Sequence, residues 1–283
     1  MRNIQQEVTD RILTEMSQGN LPWVQPWSGR GSNAMPRNAI TKRAYSGANV
    51  VLLWLSPYAS QDWLTYKQAQ ELGGNVKKGE KGTHIIYASQ VKGKDKETQE
   101  DKSFFMLKSY TVFNIEQCEG IDLNDQPVAP INQDQRDREC DAFMASTGAD
   151  IRHGEGRAYY RQAGDYIMLP PYEMFRSGIG YYETALHELV HWTGNEARCN
   201  RQFGKRFGDR AYAAEELVAE LGAAFMCAEF GYDAMTQHAA YIQNWIELLK
   251  DDPKAFITAA SKASQAVEYL RELALSQDLP IAA

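Results

Sequence analysis

Two histidines lie four residues apart in the stretch His187–His191, and Glu188 directly follows the first of them. In an α-helix, residues four apart lie on the same face, so the imidazoles of His187 and His191 can hold one metal ion between them. Glu188 would then lie beside that ion, where its carboxylate can accept a proton from a water molecule whose pKa the ion lowers to about 7. The spacing therefore predicts a metal centre of the metalloprotease type, with Glu188 as its general base.

A metal centre with two histidines normally has a third protein ligand. In the longer three-histidine motif that ligand would stand at position 197, which is an alanine here. The later segment 213–220 has the pattern of a helix, and it places Glu216 and Glu220 on one face. We predict Glu216 as the third ligand and Glu220 as the carboxylate that orients a ligand histidine, with the exchanged assignment as the alternative. Two imidazoles, one carboxylate and an open position suit Zn²⁺, and Mn²⁺ is the second choice.

The elements that must position these residues follow from apolar periodicity and from the residues that begin and end helices. The predicted helices cover residues 135–147, 180–193, 211–230, 236–250 and 253–275, and two short strands lie around Tyr159 and over 165–169. Gly194 is suited to end the histidine helix. Two short strands followed by a histidine helix and further helices indicate a small zincin-type domain.

Two further features could serve catalysis at such a centre. The strand-like segment 163–170 is predicted either to edge the cleft, where a substrate strand could pair with it, or to form an ordinary hairpin. Tyr212 and Arg198 are the candidates for stabilising a negatively charged oxygen of the substrate.

The net charge of the 283-residue chain is −7, which by itself argues against a nucleic-acid partner. The charge is unevenly distributed, however, because residues 21–82 contain eight basic and three acidic side chains together with several tryptophans and tyrosines. Basic side chains that meet phosphates, interleaved with aromatic rings that stack on bases, are what binding of single-stranded DNA requires. The candidate DNA-binding residues are Arg37, Lys42, Arg43, Tyr45, Trp63, Lys67, Lys77, Lys78 and Lys81. The alternative is that the tryptophans belong to the core and the lysines are solvated.

The elements predicted for this basic part are shorter than those of the histidine-containing part. They are helices over 4–16, 48–56 and 65–72 and strands over 84–87 and 104–114, with a weakly structured hairpin tip from Lys92 to Lys102. Thr65 is predicted to cap the third helix, and residues 124–134, with two prolines, form a candidate linker. The predicted fold class is therefore α+β with two domains. A small α+β DNA-binding domain over 1–125 precedes a mainly helical, zincin-like metallopeptidase domain over 126–283.

The composition, 43% hydrophobic and 24% charged, is that of an ordinary globular protein. The apolar run 50–55 is too short to span a bilayer, and the first residues do not form a secretory signal. Four scattered cysteines without a Cys-x-x-Cys pair indicate reduced thiols rather than disulfides or a thiolate zinc site. The sequence thus predicts a cytoplasmic protein without membrane contact.

A series of motifs in fixed order resembles one known family. The first part has PWSG at 26–29, PRNA at 36–39, YSGAN at 45–49, WLTYKQA at 63–69, VKKGEKG at 76–82 and VFN at 112–114. These motifs resemble the N-terminal domain of ArdC-type antirestriction proteins, which some plasmid primases share. HELVHWTG at 187–194 and EELVAELG at 215–222 resemble the metallopeptidase-like domain of the same family.

The resemblance implies a plasmid- or phage-encoded protein that binds single-stranded DNA and protects incoming DNA from host restriction during conjugation. A host restriction component would then be the candidate protein substrate of the metal centre. Two alternatives remain: a DNA-shielding protein whose metal only stabilises the fold, and a stand-alone metallopeptidase.

Overall fold

A long β-hairpin and three helices form the first half of the molecule. The structure, a computed structural model, describes residues 4–24, 35–94, 101–121, 137–203, 210–232 and 239–277. The elements of this half are α1 (Ile4–Ser17), β1 (Arg37–Asn38), α2 (Ala48–Trp54), β2 (Asp62–Leu64), α3 (Tyr66–Glu71), β3 (Asn75–Val76), β4 (Thr83–Lys94), β5 (Asp101–Asn114) and β6 (Cys118–Glu119). All three predicted helices are present, although α2 ends two residues before the predicted end.

The helix α3 begins where the sequence predicted it, at Thr65. The Thr65 hydroxyl accepts a hydrogen bond from the backbone N–H of Gln68 (3.2 Å), and the Gln68 side chain accepts one from the backbone N–H of Thr65 (2.9 Å). This reciprocal pair satisfies two backbone donors that the first turn leaves without helical partners. The predicted N-cap is confirmed.

The hairpin β4–β5 is longer than the sequence indicated. Its pairing runs from Thr83 opposite Val112 to Lys94 opposite Asp101, so both ends of the predicted tip, 92–94 and 101–102, belong to strands. The prediction of a weakly structured segment was wrong there because backbone hydrogen bonds of a two-stranded ribbon do not require the apolar alternation that reveals a half-buried strand.

Four strands of this half form one sheet in the order β1-β2-β5-β4. The strand β2 pairs parallel with β1 and antiparallel with β5, with Trp63 opposite Asn114. The short strands β3 and β6 form a separate antiparallel pair.

The second half is mainly helical, as predicted, with one small sheet. Its elements are α4 (Arg138–Ser146), β7 (Asp150–His153), β8 (Tyr159–Arg161), β9 (Tyr166–Leu169), α5 (Gly178–Thr193), α6 (Arg210–Phe230), α7 (Ala239–Asp251) and α8 (Ala255–Gln277). The strand β9 lies in the middle of the sheet, parallel to β7 and antiparallel to β8. The strand β7 was not predicted, because its side chains are largely exposed and polar.

One apolar core extends through both halves. Ile12 of α1 and Val50 of α2 are fully buried in the same cluster as Leu186 of α5 and Leu270 of α8. Hydrogen bonds also connect the halves: Thr9 Oγ1, for example, donates to the carbonyl of Pro253 (2.8 Å), and the Gly47 N–H donates to Ser264 Oγ (2.8 Å). The two structural parts are therefore packed together as one unit.

The linker predicted over 124–134 and the boundary between residues 125 and 126 lie outside the described residues, so both stay predictions. Within the part of the chain that the structure describes, no helix combines the length and apolar character needed to cross a membrane.

Candidate functional site

The helices α5 and α6 approach closely, and this contact brings the predicted metal ligands together. A Cβ added to Gly222 of α6 would lie only 2.7 Å from a methyl carbon of Val190 on α5, so glycine at this position permits the close approach. His187 and His191 project from α5, and Glu216 projects from α6 toward them. Their nearest ligand atoms all lie within 4.8 Å of one another, and all three residues are buried.

Glu216 lies between the two imidazoles. Its Oε2 is 3.5 Å from His187 Nε2 and its Oε1 is 3.5 Å from His191 Nε2. Glu220, one helical turn later, instead faces the opposite side of the first imidazole, with Oε2 3.7 Å from His187 Nδ1. This arrangement places Glu216 at the candidate ligand position and Glu220 behind a histidine, which favours the first of the two assignments made from sequence.

A second carboxylate behind the histidines was missed by the sequence analysis. Glu215 Oε1 lies 3.2 Å from His191 Nδ1. The guanidinium of Arg201, which is buried, donates to both oxygens of Glu215 (Nε–Oε2 2.9 Å, Nη2–Oε1 2.8 Å) and also to Thr193 Oγ1 (2.7 Å). Arg201 lies after the end of α5, where no helical periodicity relates it to Glu215. Its contact with Glu215 is therefore visible only in the folded chain.

The electrostatics of the cluster favour a positive charge between the imidazoles. Burial raises the pKa of Glu216, but hydrogen bonds with His187 and His191 outweigh burial and hold that pKa well below its ordinary value. Burial lowers the pKa of His191, but the carboxylates of Glu215 and Glu216 outweigh it and raise that pKa to about 10.

The tautomers point the same way. In the neutral form that a metal ligand requires, with each proton on Nδ1 (which His191 directs at Glu215, 3.2 Å away), the two Nε2 atoms, 3.2 Å apart, present lone pairs that repel each other. A cation between them removes that repulsion, so the residues present fit a divalent metal ion.

Glu188 and Tyr212 both line a cavity of about 540 Å³ in front of the histidines. The Tyr212 hydroxyl is 3.1 Å from that of Tyr241. Arg198, the other candidate for stabilising a substrate oxygen, does not line this cavity. Its guanidinium lies 3.8 Å from the ring centre of Trp192 and forms hydrogen bonds with Asp165, which removes it from the cavity.

The edge of the cavity is formed by β8, not by the segment predicted from sequence. The segment 163–170 contains β9, whose two sides are already paired with β7 and β8. Tyr159 and Tyr160 of β8 line the cavity, and β8 is an outer strand of its sheet. A substrate strand could therefore pair with β8. Of the two alternatives predicted for 163–170, the ordinary hairpin is the one observed, because β9 pairs antiparallel with β8 and its other edge is occupied by β7.

The predicted DNA-binding residues are not all accessible to a DNA strand. Trp63 is only 1% exposed and packs in a cluster with Leu53 and Val112, so it cannot stack on a base, and its assignment to DNA binding was wrong. The Arg37 guanidinium donates to both carboxylate oxygens of Asp62 (3.0 Å each).

The other predicted residues differ in how far they reach solvent. Lys42 and Lys67 are exposed but form ion pairs with acidic neighbours, and Tyr45 is half-buried. The exposed basic side chains that remain are Arg43, Lys77, Lys78 and Lys81.

Two exposed aromatic side chains on the hairpin were not among the residues predicted from sequence. Tyr87 of β4 is 58% exposed and Tyr110 of β5 is 48% exposed, and their ring centres are 6.2 Å apart. Lys108, also exposed, stands opposite Tyr87 in the strand register. Their position in predicted strands was the available signal, because alternate residues of such a strand reach opposite faces.

The fold and the convergent site define the second half as a zincin-like metallopeptidase domain, and residues 138–262 match the family model of that description. Residues 2–113 match the model of the N-terminal domain of the anti-restriction factor ArdC. The chain belongs to the ArdC-type antirestriction family.

Two solved structures support this assignment. The metal-free crystal structure of antirestriction ArdC from plasmid R388 is 42% identical, covers 97% of this chain and 99% of that chain, and has a TM-score of 0.84. The Mn(II)-bound structure of the same protein is 41% identical, with coverages of 96% and 98% and a TM-score of 0.80.

The chain matches nearly the full length of one sequence relative but only a part of another. The uncharacterized protein y4eC of Sinorhizobium fredii is 36% identical over 282 residues, which is 95% of this chain and 91% of y4eC. A DNA primase TraC of Escherichia coli is 34% identical over 94% of this chain, but the match spans only 27% of the primase. The zincin-like domain, the Mn(II)-bound relative and the three converging residues together support a divalent metal ion at this site.

Proposed function

We propose that this protein is an antirestriction factor that binds single-stranded DNA and protects incoming plasmid DNA in the cytoplasm by means of a metal-dependent peptidase centre. One observation carries the proposal: His187, His191 and Glu216 converge in a cavity that also contains Glu188 and is edged by an outer strand. A peptidase needs this combination, because the base, the metal ligands and a backbone to pair with the substrate must all face one space.

The residues of the cavity would divide the work of peptide hydrolysis. His187, His191 and Glu216 would hold the divalent ion, Zn²⁺ or Mn²⁺, which when bound supplies a Lewis acid. Glu188 would accept a proton from the attacking water and deliver it to the leaving amine. The Tyr212 hydroxyl would donate a hydrogen bond to the substrate oxygen that gains negative charge.

The substrate would be held by backbone pairing along β8. An outer strand offers N–H and C=O groups to an extended peptide, and this recognises a peptide backbone rather than one side chain. We infer that the substrate is an accessible, extended segment of a host restriction component.

Single-stranded DNA would bind the first half at exposed basic and aromatic residues. Tyr87 and Tyr110 offer ring faces for stacking, and Lys108 lies beside them. Arg43, Lys77, Lys78 and Lys81 would meet phosphates, as predicted from sequence. Arg37 and Trp63 are left out of this proposed surface because of their contacts within the fold.

The experiment that tests the proposed peptidase is Glu188→Gln, which removes the base but keeps the size of the side chain. We expect protection of transferred plasmid DNA to be lost in a conjugation assay with a restricting recipient. The matched control is Glu196→Gln, which removes the same charge from an exposed position. Full protection by the Glu188→Gln protein would refute the peptidase mechanism and support DNA shielding.

A further inference from the structure

A tryptophan of the first half reaches the metal centre of the second half. Trp23 follows α1, yet its indole is 1% exposed and lies against Trp245 (ring centres 5.6 Å apart) and Phe256 (6.3 Å). Its Nε1 donates a hydrogen bond to Glu220 Oε1 at 3.4 Å. The other oxygen of that carboxylate faces His187 Nδ1.

These contacts form a chain that ends at a candidate ligand. Trp23 donates to Glu220, and Glu220 lies behind His187, whose Nε2 faces Glu216 and His191. A carboxylate behind a ligand histidine fixes the ring and keeps the proton on the nitrogen away from the metal. Because Glu220 is buried, the orientation of its carboxylate depends on the donors that the protein supplies to its two oxygens.

The position of the indole is set by the first half of the molecule. The segment 21–24 is a turn in which the Val24 N–H donates to the carbonyl of Leu21 (3.0 Å), and Leu21 is itself buried. The preceding helix α1 packs on α7 and is tied to the second half by the bond from Thr9 to Pro253. Val24 and Trp23 both line the cavity that contains the candidate metal ligands.

We propose that Trp23 is a positioning residue of the metal centre: its indole N–H orients Glu220, which in turn orients His187 toward the ion. The first half thus sets the metal affinity of the second. By thermodynamic reciprocity, metal binding also strengthens the docking of residues 21–24. This inference rests on the proposed metal centre and adds to it a contact from outside the zincin-like domain.

The test is the dissociation constant of Mn²⁺ and of Zn²⁺ for the full chain, measured by competition with a chelator. Trp23→Phe keeps an aromatic ring but removes the donor, and we expect affinity to fall about three- to tenfold. Trp63→Phe is the matched control, because Trp63 is equally buried in the first half and its Nε1 has no hydrogen-bond partner among the described residues. The Trp63→Phe protein should bind both metals within about twofold of the parent chain.

A double-mutant cycle separates orientation from a general loss of packing. Glu220→Gln should weaken metal binding about 10- to 100-fold. Trp23→Phe should then add nothing, because the indole acts only through that carboxylate. Full additivity of the two losses would overturn the proposal, as would a Trp23→Phe protein that binds metal like the Trp63→Phe protein.

A second variant at position 23 and the metal binding of the parent chain itself complete the test. If Trp23→Phe does not fold, position 23 can carry the benzothiophene analogue of tryptophan, which has sulfur in place of the N–H and nearly the same shape. Unchanged affinity in that protein would overturn the proposal, and a three- to tenfold loss would support it. Failure of the parent chain to bind either metal would instead overturn the metal centre itself.

Discussion

Replacing Gly222 by alanine perturbs the metal centre without touching any of its ligands. The added Cβ would lie 2.7 Å and 2.9 Å from the two methyl carbons of Val190. Ordinary carbon contacts are about 3.5–4.0 Å, so α6 would have to move about 1 Å away from α5. Valine has one strongly preferred rotamer in a helix, so Val190 cannot easily turn aside.

The effect of Gly222→Ala on the free energy of unfolding is the difference between two opposing contributions. Overpacking costs about 1–3 kcal/mol, while alanine gains about 1 kcal/mol in helix propensity over glycine. The free energy of unfolding should therefore fall by about 0–2 kcal/mol, but metal binding should suffer more. Metal–ligand distances are fixed within about 0.2 Å, and Glu216 would move with α6 away from His187 and His191, so affinity should fall about tenfold or more.

Chelator competition gives the affinity and thermal unfolding gives the stability. The double variant Val190→Ala with Gly222→Ala removes both clashing methyl groups and should regain most of the lost affinity. Gly156→Ala is the control, because a Cβ there would meet nothing within 4 Å. Parent-like metal affinity in the Gly222→Ala protein would refute the view that this close approach aligns the ligands.

Three other perturbations test the site and the DNA surface. Arg201→Ala leaves the buried Glu215 carboxylate without its bidentate donor, and denaturant unfolding should show a loss of about 3–5 kcal/mol. Saturating Mn²⁺ at about 100 times its dissociation constant should stabilise the parent chain by about 2.7 kcal/mol, and a thermal scan should show no such gain for His187→Ala. Tyr87→Ala and Tyr110→Ala should each weaken binding of a single-stranded oligonucleotide by about 1–3 kcal/mol in a fluorescence titration.

Each of these three predictions has a result that would contradict it. A small effect of Arg201→Ala, near that of an exposed substitution, would show that Glu215 finds other donors. Equal stabilisation of the parent and His187→Ala proteins by Mn²⁺ would place the ion elsewhere. For the DNA surface, unchanged affinity of both tyrosine variants over a range of salt concentrations would remove the hairpin from the proposed interface.

The positions of the candidate ligands were predictable because they depend on helical spacing. His187 and His191 are four apart, and Glu216 and Glu220 repeat that spacing on a second helix, so each pair lies on one face of its own helix. Glu215 was missed because it directly precedes Glu216. Helical spacing does not predict that two consecutive side chains both contact the histidines. Arg201 and Trp23 were missed because they reach the centre through tertiary contacts.

The DNA-binding prediction shows a different limit. Composition identified a basic and aromatic region, but it does not separate rings in the core from rings on the surface. Trp63 is buried, whereas Tyr87 and Tyr110 are exposed on the hairpin. Ion pairing is equally invisible in composition, because Arg37 and Asp62 meet only when β1 and β2 pair.

The apolar core that extends through both halves has a consequence for how the protein responds to its ligands. Helices α1 and α2 share buried contacts with α7 and α8, so unfolding of one half exposes apolar surface of the other. The chain should therefore melt in a single transition rather than in two. A ligand that binds only one half then raises the melting temperature of the whole chain. DNA bound at the proposed surface on the hairpin would protect the second half from heat, and metal at the histidines would protect the first half.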